Sequence, residues 1–302
     1  MVSQISVIIP ARNESDRLSA TVRSFIQGRR SEVPIEFVIV DDGSTDGCCL
    51  NFAPEAEALS RGRGVTVRLC GLAETQGNYT ARNVGASEAT GDFLFITDAH
   101  VRVFPGWDEQ LIGDLSADCV YSAAICTVSE TWVGYGCSFV FPDMSTRWNT
   151  VRPVSGAPVA VSPCSGTIIS RQLFYRLGGY DPGMRLYFAG EPEFSVRAWL
   201  FGVDVRCLPC VRVAHRFKPR MEYGEYTRSI RPMMIHNALR FASLYLTQVQ
   251  IDEVKRYYLR KFPDQTSVAI SLLDSPDLIR RRADLETRFS RDFEWFSRRF
   301  PK

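Results

Sequence analysis

The chain has 302 residues, 36 Lys+Arg against 34 Asp+Glu, a formal net charge of +2 and 45% hydrophobic residues. This is ordinary globular composition, long enough for one sizeable core or one core plus a small appendage, and too balanced in charge to call for a nucleic-acid partner. Nine cysteines lack the paired spacing of a disulfide scaffold, and the lone Cys207-Leu208-Pro209-Cys210 makes no zinc site, so buried thiols of a reducing compartment are expected. No signal-like segment precedes the first strand and no apolar run approaches a membrane span, so the expected location is cytoplasmic.

Ile5-Ser6-Val7-Ile8-Ile9-Pro10 reads as a buried parallel strand ended by proline. Residues 13–27 place Leu18, Val22, Phe25 and Ile26 at helical spacing. A second strand, Phe37-Val38-Ile39-Val40, runs into Asp41-Asp42-Gly43-Ser44, followed by a helix-like segment and the strand Val65-Thr66-Val67-Arg68-Leu69. Residues 80–89 read as a helix, and Gly91-Asp92 turns the chain into the apolar Phe93-Leu94-Phe95-Ile96. Thr97-Asp98-Ala99-His100 closes that run. In an extended chain residues i and i+2 share a face, so Asp98 and His100 are read as contacting one cation, a carboxylate oxygen beside an imidazole nitrogen that suits Mn²⁺.

Alternating strands and helices mark an α/β chain with a parallel sheet, in which ligands bind beyond the carboxyl ends of the strands. Pro10, Asp42 and Asp98 sit at such ends. Residues 119–170 hold many aromatics and glycines with no clean period until Gly166-Thr167-Ile168-Ile169-Ser170. Residues 172–177 and 193–201 read as helices, 204–208 and 211–215 as strands, and the chain beyond Pro219 as helical.

The order of these motifs resembles the metal-dependent GT-A glycosyltransferases, family 2 broadly and the polypeptide N-acetylgalactosaminyltransferases more specifically. Ser6-Val7-Ile8-Ile9-Pro10-Ala11-Arg12-Asn13-Glu14 is similar to the opening strand and first nucleotide loop, and Val40-Asp41-Asp42-Gly43-Ser44 to the uracil-binding turn. Thr97-Asp98-Ala99-His100 with Gly106-Trp107 is similar to the subgroup's Asp-x-His and downstream Gly-Trp. Gly178-Gly179-Tyr180-Asp181-Pro182-Gly183-Met184, then Gly190-Glu191 to Arg197 and the run 209–218, continue the match in order.

The resemblance implies a Rossmann-like, mostly parallel sheet with helices on both faces over residues 1–223. Residues 224–302 would form a helical extension offering an acceptor or oligomer surface. It also implies transfer of a hexose or N-acetylhexosamine from a UDP-sugar, with Mn²⁺ or Mg²⁺, to a hydroxyl or thiol. The acceptor would be Ser, Thr or Cys of a peptide, or alternatively a small natural product or glycan. A sugar nucleotidyltransferase of this fold would want a glycine-rich basic loop, which Pro10-Ala11-Arg12-Asn13-Glu14 does not supply. A non-catalytic nucleotide-sugar-binding protein would have no need of an intact Asp98, His100 and His215.

Residue by residue, the resemblance makes Asp98, His100 and His215 the metal ligands. Asp42 would accept from the uracil N3–H, or else serve as a turn residue, with Pro10, Arg12 and Glu14 beside it. Arg82 would bridge the donor and Asp98. Lys218 stands where the family has a diphosphate-binding arginine, keeping the charge and losing the planar fork. Tyr223 matches a tyrosine on a flexible lid, with Gly224 as its hinge. Glu191 falls where inverting family 2 enzymes place their base and the retaining subgroup has asparagine. The other reading is that Glu191 and Glu193 complement the helix dipole.

Overall fold

A computed structural model describes residues 2–62, 64–113 and 115–301. The first half alternates as the sequence pattern predicts: β1 (Ile5–Ala11), α1 (Arg17–Gly28), β2 (Ile35–Asp41), α2 (Cys48–Ser60), β3 (Val65–Gly71), α3 (Asn78–Glu88) and β4 (Phe93–Ile96). There follow β5 (Val101–Val103), α4 (Trp107–Ile112), β6 (Cys119–Thr127), β7 (Val133–Tyr135), β8 (Cys137–Val140), β9 (Ser145–Trp148), β10 (Thr167–Ser170), α5 (Arg171–Leu177), α6 (Gly190–Leu200) and β11 (Asp204–His215). Helices α7 (Arg220–Ser229), α8 (Arg231–Tyr245), α9 (Gln248–Lys261), α10 (Pro263–Ser271), α11 (Ser275–Glu286) and α12 (Phe293–Arg299) complete the chain.

Helix α1 starts at Arg17 rather than residue 13 because Asn13 and Ser15 adopt left-handed backbone, with φ of 55° and 46°. The Asn13 side chain is instead used as a tie, accepting from the Thr45 N–H at 2.7 Å and joining the loops after β1 and β2. The segments 204–208 and 211–215 are one strand rather than two. Its register with β6 shifts between Leu208 and Arg212, where Pro209 has no N–H to donate.

The main sheet has the order β3-β2-β1-β4-β10-β6-β11-β5, with β7 added to β6. The quartet β3, β2, β1, β4 is parallel, whereas β10 runs antiparallel to both β4 and β6. Strand residues alternate between two cores as the period of two requires. Ile5, Val7 and Ile9 pack with Leu18, Val22 and Phe25 of α1 on one face. Ile8, Val38, Leu94 and Ile96 face the other core, which also takes Phe194 of α6 and Ile235, Leu239 and Phe241 of α8.

The C-terminal helices are therefore built into the sheet's own core, and the 223/224 division falls inside α7. Two buried ion pairs fasten them. Arg240 on α8 donates to both carboxylate oxygens of Asp181 at 3.0 and 2.9 Å. Arg197 pairs with Glu193 at 2.8 Å, and Tyr245 of α8 donates to the same carboxylate. Among the described residues no helix is long and apolar enough to cross a membrane.

Candidate active site

The centre of the site is a turn rather than an extended pair, which corrects the strand reading of Asp98 and His100. Strand β4 stops at Ile96, and residues 97–100 curl over its end. The Thr97 N–H is spent on the Ile8 carbonyl at 3.0 Å and its hydroxyl on the Ser165 carbonyl at 2.8 Å. Thr21 of α1 pins the far side: its Oγ1 lies 2.9 Å from the carbonyls of Ala99 and Val101 and accepts from the Val101 N–H. With Ala99 buried between them, Asp98 and His100 are turned toward the same opening.

His215 arrives by strand register. It ends β11, which pairs antiparallel with β5 so that His215 stands opposite Val101, and the Arg216 N–H donates to the His100 carbonyl at 3.1 Å. The three ligand atoms of Asp98, His100 and His215 lie within 4.8 Å of one another. His215 Nε2 is 3.3 Å from Asp98 Oδ2, and two donors on one ion at roughly 2.1 Å each stand about 3 Å apart. The His100 Nδ1 is paired with Glu14 at 3.0 Å, which leaves its Nε2 for a metal, the arrangement expected of an oriented metal-binding imidazole. The set fits a divalent cation. Glu14 enters this geometry as the partner of His100.

The electrostatics agree. Burial pushes the Asp98 carboxyl up, but the His215 hydrogen bond and the charges of Arg82 and His215 overturn this and hold it well below the usual range. Burial likewise lowers His100, and the Glu14 hydrogen bond and the Asp98 charge more than compensate, leaving it raised. Arg82 on α3 donates to Asp98 at 2.6 Å while only 1% exposed. Its Nε and second terminal nitrogen are buried with no protein partner. Such orphaned donors cost about 1–3 kcal/mol each unless a ligand meets them.

Asp42 lies just beyond β2, and its carboxylate accepts from the backbone N–H groups of Gln76 at 2.6 Å and Gly77 at 3.0 Å. Burial raises its pKa against those bonds and the nearby Arg12 charge. Asp42 thus holds the turn before α3 and does not cap α2, the helix that follows it, whose N-cap is Gly47 with no side-chain cap bond. Pro10 is half-buried at the end of β1, and Arg12 is exposed beside it. Lys218 is exposed, 3.4 Å from Glu222, and its charge acts on His100. Tyr223 lies on α7, none of whose residues is buried, and Gly224 is inside that helix rather than at a loop hinge.

Glu191 and Glu193, two residues apart, have opposite fates. Glu193 is fully buried in its pair with Arg197. Glu191, half-buried at the start of α6, accepts from the Tyr79 hydroxyl at 2.7 Å, and that hydroxyl accepts from the Gly190 N–H at 3.1 Å. Tyr79 was missed in the sequence, although it stands three residues before Arg82 and so on the same helix face. Also unforeseen is an aromatic group beside the metal turn. Trp132 and Trp148 stand edge to face at 5.3 Å, and Phe217 lies 4.4 Å from the His215 ring.

The chain is 28% identical over 315 residues to polypeptide N-acetylgalactosaminyltransferase 5 of Caenorhabditis elegans, covering 96% of this chain and 47% of the relative. It is 27% identical to polypeptide N-acetylgalactosaminyltransferase 4 of Mus musculus, covering 96% and 50%. The chain thus spans about half the length of the curated relatives it matches.

Among solved structures, GalNAc-T7 with UDP, GalNAc and Mn²⁺ superposes with a TM-score of 0.76 at 21% identity, over 98% of this chain and 56% of that one. A mannosyltransferase of Pyrobaculum calidifontis in complex with GDP-Man and Mn²⁺ gives 0.59 at 16% identity, over 98% and 84%. Both share the GT-A fold. Residues 6–189, from the first strand to the threshold of Glu191, match glycosyl transferase family 2, and the chain belongs to that family.

Proposed function

We propose that this protein transfers a hexose or N-acetylhexosamine from a UDP-sugar to a hydroxyl or thiol acceptor, with Asp98, His100 and His215 holding a Mn²⁺ or Mg²⁺ ion. The observation that carries this is the convergence of the two imidazoles on the Asp98 carboxylate, which is also held by Arg82, whose remaining donors are buried and unmet. A cation bound there would neutralise charge on the diphosphate of the donor.

The remaining roles fall to the chain's own groups. Arg82 and Lys218 face the negative charge that grows on the departing UDP. Asp42, Pro10 and Arg12 form the wall for the uracil, with Asp42 fixing the Gln76–Gly77 turn at the same time. Glu191 takes the proton of the acceptor as its oxygen or sulfur bonds to the anomeric carbon and the bond from that carbon to the diphosphate oxygen breaks. Tyr79 orients the Glu191 carboxylate. Tyr223 on α7 closes over the donor.

A peptide acceptor, through Ser, Thr or Cys, is supported by the names of the sequence relatives and by the apolar wall of Trp132, Trp148 and Phe217 beside His215. Residues 1–223 carry the transfer chemistry and residues 224–302 brace it. The test is UDP release from a panel of UDP-sugars with and without Mn²⁺, followed by NMR of the product's anomeric coupling. Metal-dependent release that His215→Ala abolishes, with an inverted product and a Glu191→Gln rate lower by about 10²–10⁴-fold, is expected. A retained linkage from a fully active Glu191→Gln enzyme would remove Glu191 from the base role.

A further inference from the structure

The segment leading into Glu191 is held in a conformation that it would not adopt alone. Leu186, Phe188 and Ala189 have φ of 50°, 85° and 64°, three non-glycine residues in left-handed backbone within four positions. Such a run turns its carbonyls inward, away from regular partners, and every buried carbonyl needs a donor. The donor comes from far along the chain. Asn237 on α8, fully buried, directs its Nδ2 at the carbonyls of Arg185, Tyr187 and Phe188 at 2.7, 3.1 and 3.0 Å, and its Oδ1 accepts from the Arg185 N–H at 2.8 Å.

That pattern fixes the amide's orientation, because a flipped side chain would set oxygen against three carbonyls. His236 Nδ1 lies 3.1 Å from the same Oδ1, where its N–H donates. On the opposite side the segment is backed by α3. The Asn78 N–H donates to the Leu186 carbonyl at 3.2 Å, and a Cβ on Gly77 would come within 2.4 Å of the Leu186 Cα. The segment is thereby clamped between α3 and α8, and it delivers Gly190 and Glu191 to the Tyr79 hydroxyl.

We infer that Asn237 is a positioning residue for the transfer reaction, acting through Glu191 by holding residues 185–189 in their left-handed path. This rests on the base role given to Glu191 above. It also gives the C-terminal helices a part in the chemistry although α8 contributes no group to the reacting atoms. An effect of α8 on turnover would then need no contact with donor or acceptor.

The test uses the full chain and the variants Asn237→Asp, Glu191→Gln and their combination. Asn237→Asp keeps the shape and places oxygen against the three carbonyls. Three measurements are made: UDP affinity with Mn²⁺ by calorimetry, hydrogen exchange at the Asn78 and Gly190 amides, and transfer kcat. Asn237→Asp is expected to leave UDP affinity within about twofold, reduce protection at both amides, and lower kcat roughly tenfold or more. In the Glu191→Gln background it is expected to cost less than about threefold further, because coupled residues are not additive.

Equal losses in both backgrounds, with Glu191→Gln itself impaired, would overturn the inference. A wild-type rate for Glu191→Gln would instead overturn the base role, and the exchange arm alone would then decide the clamp: retained protection refutes it and lost protection upholds it. Should Asn237→Asp fail to bind UDP, Asn237→Ser, neutral and with one donor, takes its place under the same readouts.

Discussion

Replacing Arg82 by methionine separates what the site does for the fold from what it does for a ligand. In the free protein Arg82 makes one charge-assisted bond, to Asp98 at 2.6 Å, and leaves two buried donors unmet. The bond contributes about 1.5–3 kcal/mol and the two orphans cost about 1–3 kcal/mol each, so Arg82→Met should fall between a loss of about 1 kcal/mol and a gain of about 4.5 kcal/mol in stability. Binding is another matter. If the two free donors meet the diphosphate, their loss removes about 3–6 kcal/mol, a factor of 100 or more in Kd. With UDP and Mn²⁺ at a hundred times the wild-type Kd, the wild type gains about 2.7 kcal/mol and the variant about 0.4 kcal/mol or less. For a chain of this size the melting temperature rises by about 4 °C in the first case and by less than about 1 °C in the second. The assay is a thermal melt of both proteins with and without UDP and Mn²⁺. A ligand-induced shift of the same size in Arg82→Met would refute the reasoning, as would a variant that loses most of its stability without ligand.

Asp42→Ala should weaken UDP by about 1.5–3 kcal/mol and erode the preference for uridine over cytidine nucleotides, which calorimetry with UDP and CDP would show. It should also release the Gln76 and Gly77 amides to hydrogen exchange. Asp181→Ala leaves the Arg240 guanidinium buried without its principal partner and should cost about 3–5 kcal/mol in urea unfolding at neutral pH. Burial pushes the Asp181 carboxyl up, but the Arg240 hydrogen bonds and charge hold it below the usual range. Its contribution is therefore complete above the unfolded value of about 3.9 and is lost as the pH falls below it, so the gap between wild type and variant should close under acid. Gly190→Ala places a Cβ within 2.3 Å of the Tyr79 ring and should cut turnover roughly tenfold or more while UDP affinity holds.

The candidate metal ligands were legible because imidazole is scarce in this chain, which has only three histidines, and because two of them stand in recognisable motifs. The parallel half of the sheet was legible through the apolar runs of β1, β2 and β4 and the alternation of β3. Strands β6 to β9 were not. They are short or pair across irregular turns, and β7 to β9 leave few side chains buried on one face, so no period of two emerges. Helix α7 falls in the stretch read as helical beyond Pro219, although the resemblance put a flexible lid at Tyr223; it buries nothing, and a helix without an apolar stripe has little signature. Asp181 and Arg197 stood inside matched motifs, yet their work is bracing. Nothing local tells a carboxylate that will face a donor from one that will face Arg240 some 60 residues later. Asn237 was equally hidden: its acceptors are carbonyls, which every residue has.

The position of β5 has a mechanical consequence. It lies four places from β4 in the sheet, yet only residues 97–100 join the two strands. Four strand spacings in a flat sheet amount to about 19 Å, and the five peptide steps from Ile96 to Val101 reach at most roughly 18 Å. The connection is too short for a flat sheet, so it acts as a bowstring across a curled one. Asp98 and His100 ride on the string, and His215 stands at the tip of the bow. The string's far end is laddered to His215 through Val101, so the curl of the sheet brings the strand end that carries His215 up to Asp98. One residue inserted between Asp98 and Val101 would slacken the string and loosen the approach of Asp98 to His215.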